Sequence, residues 1–201
     1  MPEALAPIRV WVMETHPAAQ GLWRSVLDDA LLNPTELLWT DRYPEGEALP
    51  PAVDLALVDL DAEAERASGL LQRLPRRTWR VATVLFDDDE RLLPALRAGI
   101  HGFLIKQSPA PVLVEHLQRI LQGRPLMPSA LARRVLEQWT RPADEADPLW
   151  TLLEALGQGL SPQELGVRMG LGRGEVDRLL GRLYEQLGAG HAGAAPSPHT
   201  P

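Results

Sequence analysis

Charged side chains suited to metal and phosphate chemistry stand at the ends of three apolar stretches of the sequence. Glu14 follows the first stretch, Asp59 closes the third, and Lys106 follows the fifth. Carboxylate oxygens are preferred ligands of Mg²⁺, and a lysine ammonium neutralises phosphate as a point charge. If these stretches are parallel strands, their carboxyl ends lie at one edge of a sheet. The sequence therefore predicts that the three side chains form one crevice able to hold a divalent cation and a phosphoryl group.

A second group of charged residues lies between residues 160 and 188, where the pattern predicts two short helices joined by a tight turn. Ser161 and Glu164 can satisfy each other's backbone N–H groups, and Pro162 suits the first turn because it has no N–H to satisfy. Gly170 is expected to end this first helix. The predicted shape is that of a helix-turn-helix.

The second of these helices is predicted at residues 173–187, with Gly188 just beyond its end. Its apolar residues have a helical spacing that indicates a buried stripe. They are Val176, Leu179, Leu180, Leu183 and Leu187. The charged residues are predicted on the exposed face, and they are Arg173, Glu175, Asp177, Arg178, Arg182 and Glu185.

The acids on this exposed face leave two interpretations open. In the first, Arg173, Arg178 and Arg182 contact DNA phosphates, and Glu175 or Asp177 accepts a hydrogen bond from cytosine. In the second, the acids pair with arginines along the helix, as Arg173 with Asp177, and the face is solvated or docks on a protein. The chain as a whole has a net charge of −7, which on average repels nucleic acid.

Apolar stretches that predict strands alternate with stretches of helical spacing in the first part of the chain. Strands are predicted at residues 8–13, 37–40, 53–59, 79–86 and 102–105, and helices at 17–30, 62–74, 91–98 and 111–121. Residues 41–51 are rich in proline, glycine and charge, so a helix there is expected to be short or absent. The alternation predicts an α/β fold with a doubly wound, parallel, five-stranded sheet that carries helices on both faces.

The pattern also predicts a division of the chain into domains. Residues 1–124 form the α/β domain, and residues 149–188 form the small all-α domain with the helix-turn-helix. Residues 125–148 between them are predicted as a further helix, at 125–139, followed by a polar and acidic linker bounded by prolines. Residues 189–201 are small and rich in glycine and proline, and they are predicted to be a disordered tail.

The composition narrows the classes of function. The chain of 201 residues has no cysteine, so a disulfide scaffold, a thiol nucleophile and a cysteine-ligated zinc site are excluded. No apolar run approaches the ~18 residues of a membrane span, and the beginning of the chain lacks a secretory pattern, so a cytoplasmic location is expected. Neither a catalytic triad nor a glycine-rich phosphate loop is indicated. An enzyme is therefore not predicted.

Three segments of the sequence resemble response regulators of the LuxR/NarL type. They read VDLALVDLD, FDDDERLLPALRAGIHGFLIK and QGLSPQELGVRMGL. The resemblance covers nearly the whole chain and implies a receiver domain of flavodoxin-like strand order joined to a LuxR-type DNA-binding domain. It further implies that Asp59 is the phosphoacceptor, that Lys106 contacts the phosphate, and that Phe103 is the aromatic residue that reports activation. Glu14 and Asp59 are the implied ligands of Mg²⁺.

Two positions depart from the pattern of that family. Thr15 stands where a second acid is expected after the first strand, and Val84 stands where a serine or threonine is expected at the end of the fourth. The missing acid should weaken Mg²⁺ binding, and the missing hydroxyl should uncouple phosphate from the switch. We interpret the domain as a pseudo-receiver in which Asp59 and Lys106 form a structural ion pair. The other interpretation is that Glu14 still holds a metal through water.

These features together predict a DNA-binding transcriptional regulator of the two-component type that depends weakly or not at all on phosphorylation. A homodimer is expected, with the leucine stripe and Tyr184 supplying apolar surface for it. One alternative is a protein-interaction module that no longer binds DNA. Another is a conventional response regulator that is phosphorylated by a histidine kinase.

Overall fold

The computed structural model describes residues 7–31, 35–44, 52–86, 90–139 and 147–188. Its centre is a parallel sheet in the order β2-β1-β3-β4-β5, which confirms the predicted doubly wound sheet of five strands. The central strands β3 and β4 are buried along their whole length, as expected when helices cover both faces of a parallel sheet. The strands are β1 (Ile8–Met13), β2 (Thr35–Thr40), β3 (Leu55–Asp59), β4 (Trp79–Val84) and β5 (Gly102–Ile105).

Eight helices are present among the residues that the structure describes. The first four follow strands of the sheet, and the last four form the helical part of the molecule. They are α1 (Ala19–Ala30), α2 (Ala64–Arg73), α3 (Leu92–Arg97), α4 (Ala110–Leu121), α5 (Ser129–Gln138), α6 (Pro148–Gly157), α7 (Pro162–Met169) and α8 (Arg173–Gly188). None of them is long and apolar enough to cross a membrane.

Some predictions about the connections fall outside the described residues. This applies to the tail predicted at residues 189–201 and to residues 140–146 of the predicted linker. Its last two residues are described: Asp147 caps α6 by accepting hydrogen bonds from the N–H groups of Leu149, at 2.8 Å, and Trp150, at 3.3 Å. After β2, residues 41–44 are not helical and residues 45–51 are not described.

The two faces of the sheet carry different partners. On one face, side chains such as Val12 and Leu57 pack with α1 and α4. On the other face, a single hydrophobic cluster extends from Trp11 and Met13 of β1 to Leu183 and Tyr184 of α8. The helical part is therefore not an independently packed domain, because its hydrophobic core is continuous with the core on this face of the sheet.

The predicted helix-turn-helix is confirmed by its caps. The Ser161 hydroxyl accepts from the Glu164 N–H at 3.3 Å, and the Glu164 carboxylate accepts from the Ser161 N–H at 2.8 Å. Gly170 ends α7 with a φ of 66°, a left-handed conformation in which glycine is unstrained. Val176 of α8 is fully buried, as the leucine stripe predicts.

Candidate functional site

The carboxyl ends of β1, β3 and β5 bring Glu14, Asp59 and Lys106 into contact. The Lys106 Nζ lies 2.6 Å from the Asp59 Oδ1 and 3.1 Å from the Glu14 carboxylate. Glu14 and Asp59 are each 1% exposed, so these charges are removed from solvent. A buried carboxylate is stable only when it is paired and hydrogen-bonded, and the ammonium provides that pairing here.

Asp61 is a member of this cluster that the sequence analysis missed. Its carboxylate lies 2.9 Å from the Lys106 Nζ and 2.9 Å from the Arg91 guanidinium. Arg91 also donates hydrogen bonds to the backbone oxygens of Leu60, at 3.1 Å, and Asp61, at 2.8 Å, which holds the connection after β3 in place. The available signal was a carboxylate two residues beyond the strand-end Asp59. Three carboxylates thus share one lysine, with an arginine as the second cation.

The pKa values of the central pair follow from these contacts. Burial by itself would raise the pKa of Asp59, but hydrogen bonds from Lys106, the Asp61 N–H and Thr15 hold that pKa below its ordinary value. Burial by itself would lower the pKa of Lys106, but hydrogen bonds to Asp59 and Asp61 hold it above its ordinary value. Both groups are therefore charged throughout the neutral range.

The oxygens of these acids already have partners within the protein. Thr15 donates its hydroxyl to the Asp59 Oδ2 at 2.8 Å, and the Asp61 N–H donates to the Asp59 Oδ1 at 2.8 Å. Glu14 accepts from the Trp23 indole N–H and from the His16 N–H, both at 3.0 Å.

The donor set does not fit Mg²⁺. The ammonium of Lys106 lies between the carboxylates that a dication would need to bridge. Thr15, at the position where a second metal-binding carboxylate is expected, instead donates a hydrogen bond to Asp59. Among the residues that the structure describes, no three Asp, Glu, His or Cys side chains are arranged to hold a metal ion.

At the end of β4, the hydroxyl belongs to Thr83 and not to position 84, where the sequence analysis expected a serine or threonine. Val84 is fully buried in the hydrophobic core. Thr83 lies opposite Asp59 in the strand register, so the two side chains emerge on the same face of the sheet. Thr83 is 1% exposed, and its hydroxyl has no partner in the described part of the chain. Phe103 on β5 is buried, at 8% exposure.

The prediction that Asp177 lies on the exposed face of α8 is wrong. Asp177 is 5% exposed, and its carboxylate lies 3.1 Å from the Arg119 guanidinium on α4. The predicted pairing of Asp177 with Arg173 is therefore replaced by a contact with the sheet domain. Glu175 is exposed, but its carboxylate accepts from the Gly172 N–H at 2.8 Å, which satisfies the N-terminus of its own helix. Both acids thus have structural partners.

A second face of α8, formed by residues 177, 181, 184 and 188, packs against the sheet domain and the first residues of the segment that follows it. A Cβ added at Gly181 would come within 2.9 Å of the Gly123 backbone oxygen, so only glycine allows this approach. The Tyr184 hydroxyl donates to the Leu126 backbone oxygen at 2.7 Å. Tyr184 is 3% exposed, and burial raises its pKa. The prediction that Tyr184 supplies free surface for a dimer is therefore wrong. We call residues 177, 181, 184 and 188 the docking face.

The face of α8 opposite its hydrophobic stripe remains in solvent. Arg178 and Arg182 are exposed on it, and Arg173 is exposed at the start of the helix. Glu185 is exposed one turn further along. Since Asp177 is buried, the exposed charged residues in the N-terminal half of α8 are Arg173 and Arg178 against Glu175, which leaves a small positive excess.

Curated proteins similar to this chain are transcriptional regulators by name. The probable transcriptional regulatory protein SgaR of Hyphomicrobium methylovorum is 25% identical, over 96% of this chain and 92% of that protein. The DNA-binding transcriptional activator DevR/DosR of Mycobacterium tuberculosis is 29% identical, over 73% and 70%. The transcriptional regulatory protein ComA of Bacillus subtilis is 22% identical, over 90% and 92%. No protein-family model matches the chain.

Solved structures show the same fold over nearly the whole length. The response regulator ChrA of a heme-sensing two-component system superposes with a TM-score of 0.50 at 23% identity, covering 92% of each chain. The response regulator RcsB of Salmonella typhimurium gives a TM-score of 0.50 at 13% identity, covering 92% of this chain and 93% of that one. The sheet followed by a helical C-terminal part is thus the architecture of response regulators, and the resemblance predicted from the sequence is confirmed.

Proposed function

We propose that this chain, a homologue of transcriptional response regulators, is a DNA-binding transcription regulator whose receiver domain works without phosphorylation. Residues 1–124 serve as the receiver and residues 149–188 as the helix-turn-helix domain, with 125–148 joining them. The observation that carries the proposal is the positive outward face of α8. The name of the relative DevR/DosR, a DNA-binding transcriptional activator, supports the same function.

The structure of α8 shows where its acids lie relative to the arginines that would contact DNA. A recognition helix contacts base edges with its N-terminal half, and cations beside it contact phosphates. In that half, Glu175 caps the helix, and Asp177 stands on the docking face, on a different side of the helix from Arg178 and Arg182. Arg178 and Arg182 remain free to approach the phosphates.

Docking of α8 on the receiver must be released before DNA can be read. The major groove is about 12 Å wide, and an α-helix with its side chains is about 10–12 Å across, so the groove encloses both flanks of the helix. Here one flank is covered, because the docking face contacts Arg119, Gly123 and Leu126. The compact arrangement is therefore a closed state, and DNA binds an open state in which α8 has left the receiver.

Removing the outward arginines should weaken DNA binding without abolishing the fold. We expect Arg178→Ala and Arg182→Ala each to lower affinity for all sequences alike and to reduce the salt slope by about 1, since each loses one phosphate contact. The measurement is titration of DNA fragments selected from a random pool, at several salt concentrations. Arg76→Ala is the matched control, because it removes an exposed arginine of the receiver. An equal loss in the control would mean that only the net charge matters.

Beryllofluoride with Mg²⁺, a mimic of the phosphorylated state, should change neither the oligomeric state nor the tryptophan fluorescence. The reason is that Lys106 and Thr15 already occupy the oxygens of Asp59, and the pocket offers no fit for the metal. Sedimentation and fluorescence titration provide the measurement. A saturable response that is lost in Asp59→Asn would show that the receiver is conventional.

One observation favours that conventional alternative, in which a histidine kinase phosphorylates Asp59. The hydroxyl of Thr83 is buried, lacks a partner in the described chain and emerges on the same face as Asp59. It would be available to a phosphoryl group if Lys106 moved. A beryllofluoride titration of wild type and Thr83→Val tests this: a response of wild type that is lost in Thr83→Val would indicate a conventional receiver, and no response in either would support the receiver that works without phosphorylation.

A homodimer is part of the proposal, but its surface differs from the one expected. The leucine stripe and Tyr184 of α8 are packed in the hydrophobic core of the same chain and are not free for a dimer contact. Large hydrophobic side chains that the structure leaves exposed are Leu85, Phe86 and Val167.

If an undocked variant binds no DNA at any salt concentration, the protein-interaction module becomes the better account of the molecule.

A further inference from the structure

A cavity of about 50 Å³ lies between the receiver and α8. Trp79, Ile100 and His101 line it from the receiver, and Tyr184 and Glu185 line it from α8. Because the two sets of walls come from the two partners of the docking contact, the cavity exists only in the closed state. Any molecule that it binds therefore shifts the equilibrium towards that state.

The receiver wall is aromatic, and it carries two side-chain N–H donors, that of His101 and that of Trp79, whose buried indole nitrogen has no partner in the described chain. The rings of Trp79 and His101 meet edge to face, with their centroids 5.0 Å apart. The His101 Nδ1 accepts from the Arg80 N–H at 2.9 Å. Burial and the charge of Arg80 lower the pKa of His101 to about 4, so the ring is neutral at pH 7. Its proton is consequently on Nε2, which has no partner within the described residues.

The charges around the cavity favour an uncharged occupant. Glu185 is exposed at the rim and would repel an anion. The guanidinium of Arg80 is buried behind His101 and donates to the Leu74 backbone oxygen at 3.0 Å, with no carboxylate partner in the described chain. A cation in the cavity would lie against this charge.

We propose that this cavity binds a small uncharged aromatic molecule with one hydrogen-bond acceptor, and that the bound molecule holds α8 on the receiver. The His101 Nε2–H donates to the acceptor, and the rings of Trp79 and Tyr184 contact the apolar body. The enclosed volume is about a third of the ~150 Å³ cavity that holds benzene in an engineered protein. The ligand is therefore monocyclic, and part of it lies in the mouth beside Glu185. The expected loss of DNA binding rests on the proposed function.

Acetophenone is a suitable probe, since it is neutral, monocyclic and bears a single acceptor. We expect it to shift the His101 imidazole resonances saturably in the full-length protein. Ethylbenzene has a similar shape without the acceptor, so it should bind more weakly and leave the Nε2 resonance unshifted. Benzoate and benzylammonium should bind at least tenfold more weakly, because each carries a charge that the cavity disfavours. The absence of a saturable shift with acetophenone would overturn the proposal.

Alanine variants of α8 separate the cavity from other sites. Gly181→Ala prevents docking, because the new Cβ meets the Gly123 backbone oxygen at 2.9 Å. Since Gly181 also lines the cavity, Asp177→Ala, which changes no lining residue, is measured beside it and should lose binding in the same way. Gly174→Ala makes the glycine-to-alanine change in the same helix at a position with nothing within 4 Å. Acetophenone should bind wild type and Gly174→Ala alike, and Gly181→Ala at least tenfold more weakly. Equal binding by Gly174→Ala and Gly181→Ala would overturn the proposal.

The DNA readout distinguishes this proposal from the proposed function. Acetophenone should weaken DNA binding by wild type and by Gly174→Ala, but not by Gly181→Ala. If the His101 shift occurs and is lost in Gly181→Ala while DNA affinity is unchanged, the ligand site stands and the closed-state account of DNA access fails. If Gly181→Ala does not fold, Asp177→Ala serves as the second undocking variant.

Discussion

Asp177→Ala is expected to bind DNA about tenfold more tightly than wild type. The substitution leaves the Arg119 guanidinium, which is 15% exposed, without its carboxylate partner at the docking contact. An unsatisfied group of this kind costs about 1–3 kcal/mol, and the cost falls only on the closed state. Each 1.4 kcal/mol lost by the closed state raises the open fraction, and with it the apparent DNA affinity, about tenfold. Titration of wild type and variant at one salt concentration measures the change.

Arg119→Ala separates release of the docking contact from a simple effect of charge. This variant makes the protein more acidic, which by itself would weaken DNA binding. We nevertheless expect tighter binding, because the same contact is lost. Asp28→Ala removes an exposed acid on α1 and should change affinity little. The exchanged pair Arg119→Asp with Asp177→Arg should return affinity towards wild type. Weaker binding by Arg119→Ala would contradict the closed-state account.

Lys106→Met is expected to destabilise the fold by about 3 kcal/mol or more at pH 7, because removing one partner of a buried ionic cluster leaves uncompensated charge. The side chains of Lys106, Glu14 and Asp59 are 9%, 0% and 1% exposed, so water cannot replace the lost ammonium. Urea unfolding gives the free energy. Lys106→Met combined with Asp59→Asn should recover part of the loss. If the single and double variants are equally unstable, the charges are not the cause.

The pH dependence provides a second test of the same cluster. The pKa of Asp59 is below its ordinary value of 3.8, so its stabilisation is present above that pH and is lost as the pH falls through the folded-state pKa. The pKa of Lys106 is above its ordinary value of 10.5, so its contribution is lost as the pH rises through the folded-state pKa. Wild type should therefore show a plateau between these limits. Lys106→Met should instead gain stability as the pH falls towards the carboxyl range, since protonation relieves the repulsion.

The sheet could be predicted because its signals are local. Each of the apolar stretches at residues 8–13 and 102–105 became a strand with the expected limits. The convergence of Glu14, Asp59 and Lys106 followed from the rule that functional groups meet at the carboxyl ends of parallel strands. Asp61 escaped prediction because its position depends on how the connection after β3 folds, and the contacts of Arg91 that set this fold lie 30 residues away.

The contacts of α8 could not be predicted from the helical spacing of its apolar residues alone. The leucine stripe identified one buried face, and Asp177 was assigned to solvent because it is outside that stripe. The helix buries a second face, which reads Asp177, Gly181, Tyr184 and Gly188 at spacings of four and three residues. Glycine inside a helix is unfavourable without a packing reason, so Gly181 was the available signal. Its partner, Gly123, lies in a turn on the other domain.

The contact between Gly181 and Gly123 makes the two states unequal targets for random mutation. No side chain fits at position 181, and Gly123 has a φ of 70°, which other residues adopt only with strain. A substitution at Gly181 therefore acts against the closed state alone, whereas one at Gly123 strains the turn after α4 in both states. If the proposed closed state inhibits DNA binding, a single substitution at position 181 is enough to lose that inhibition.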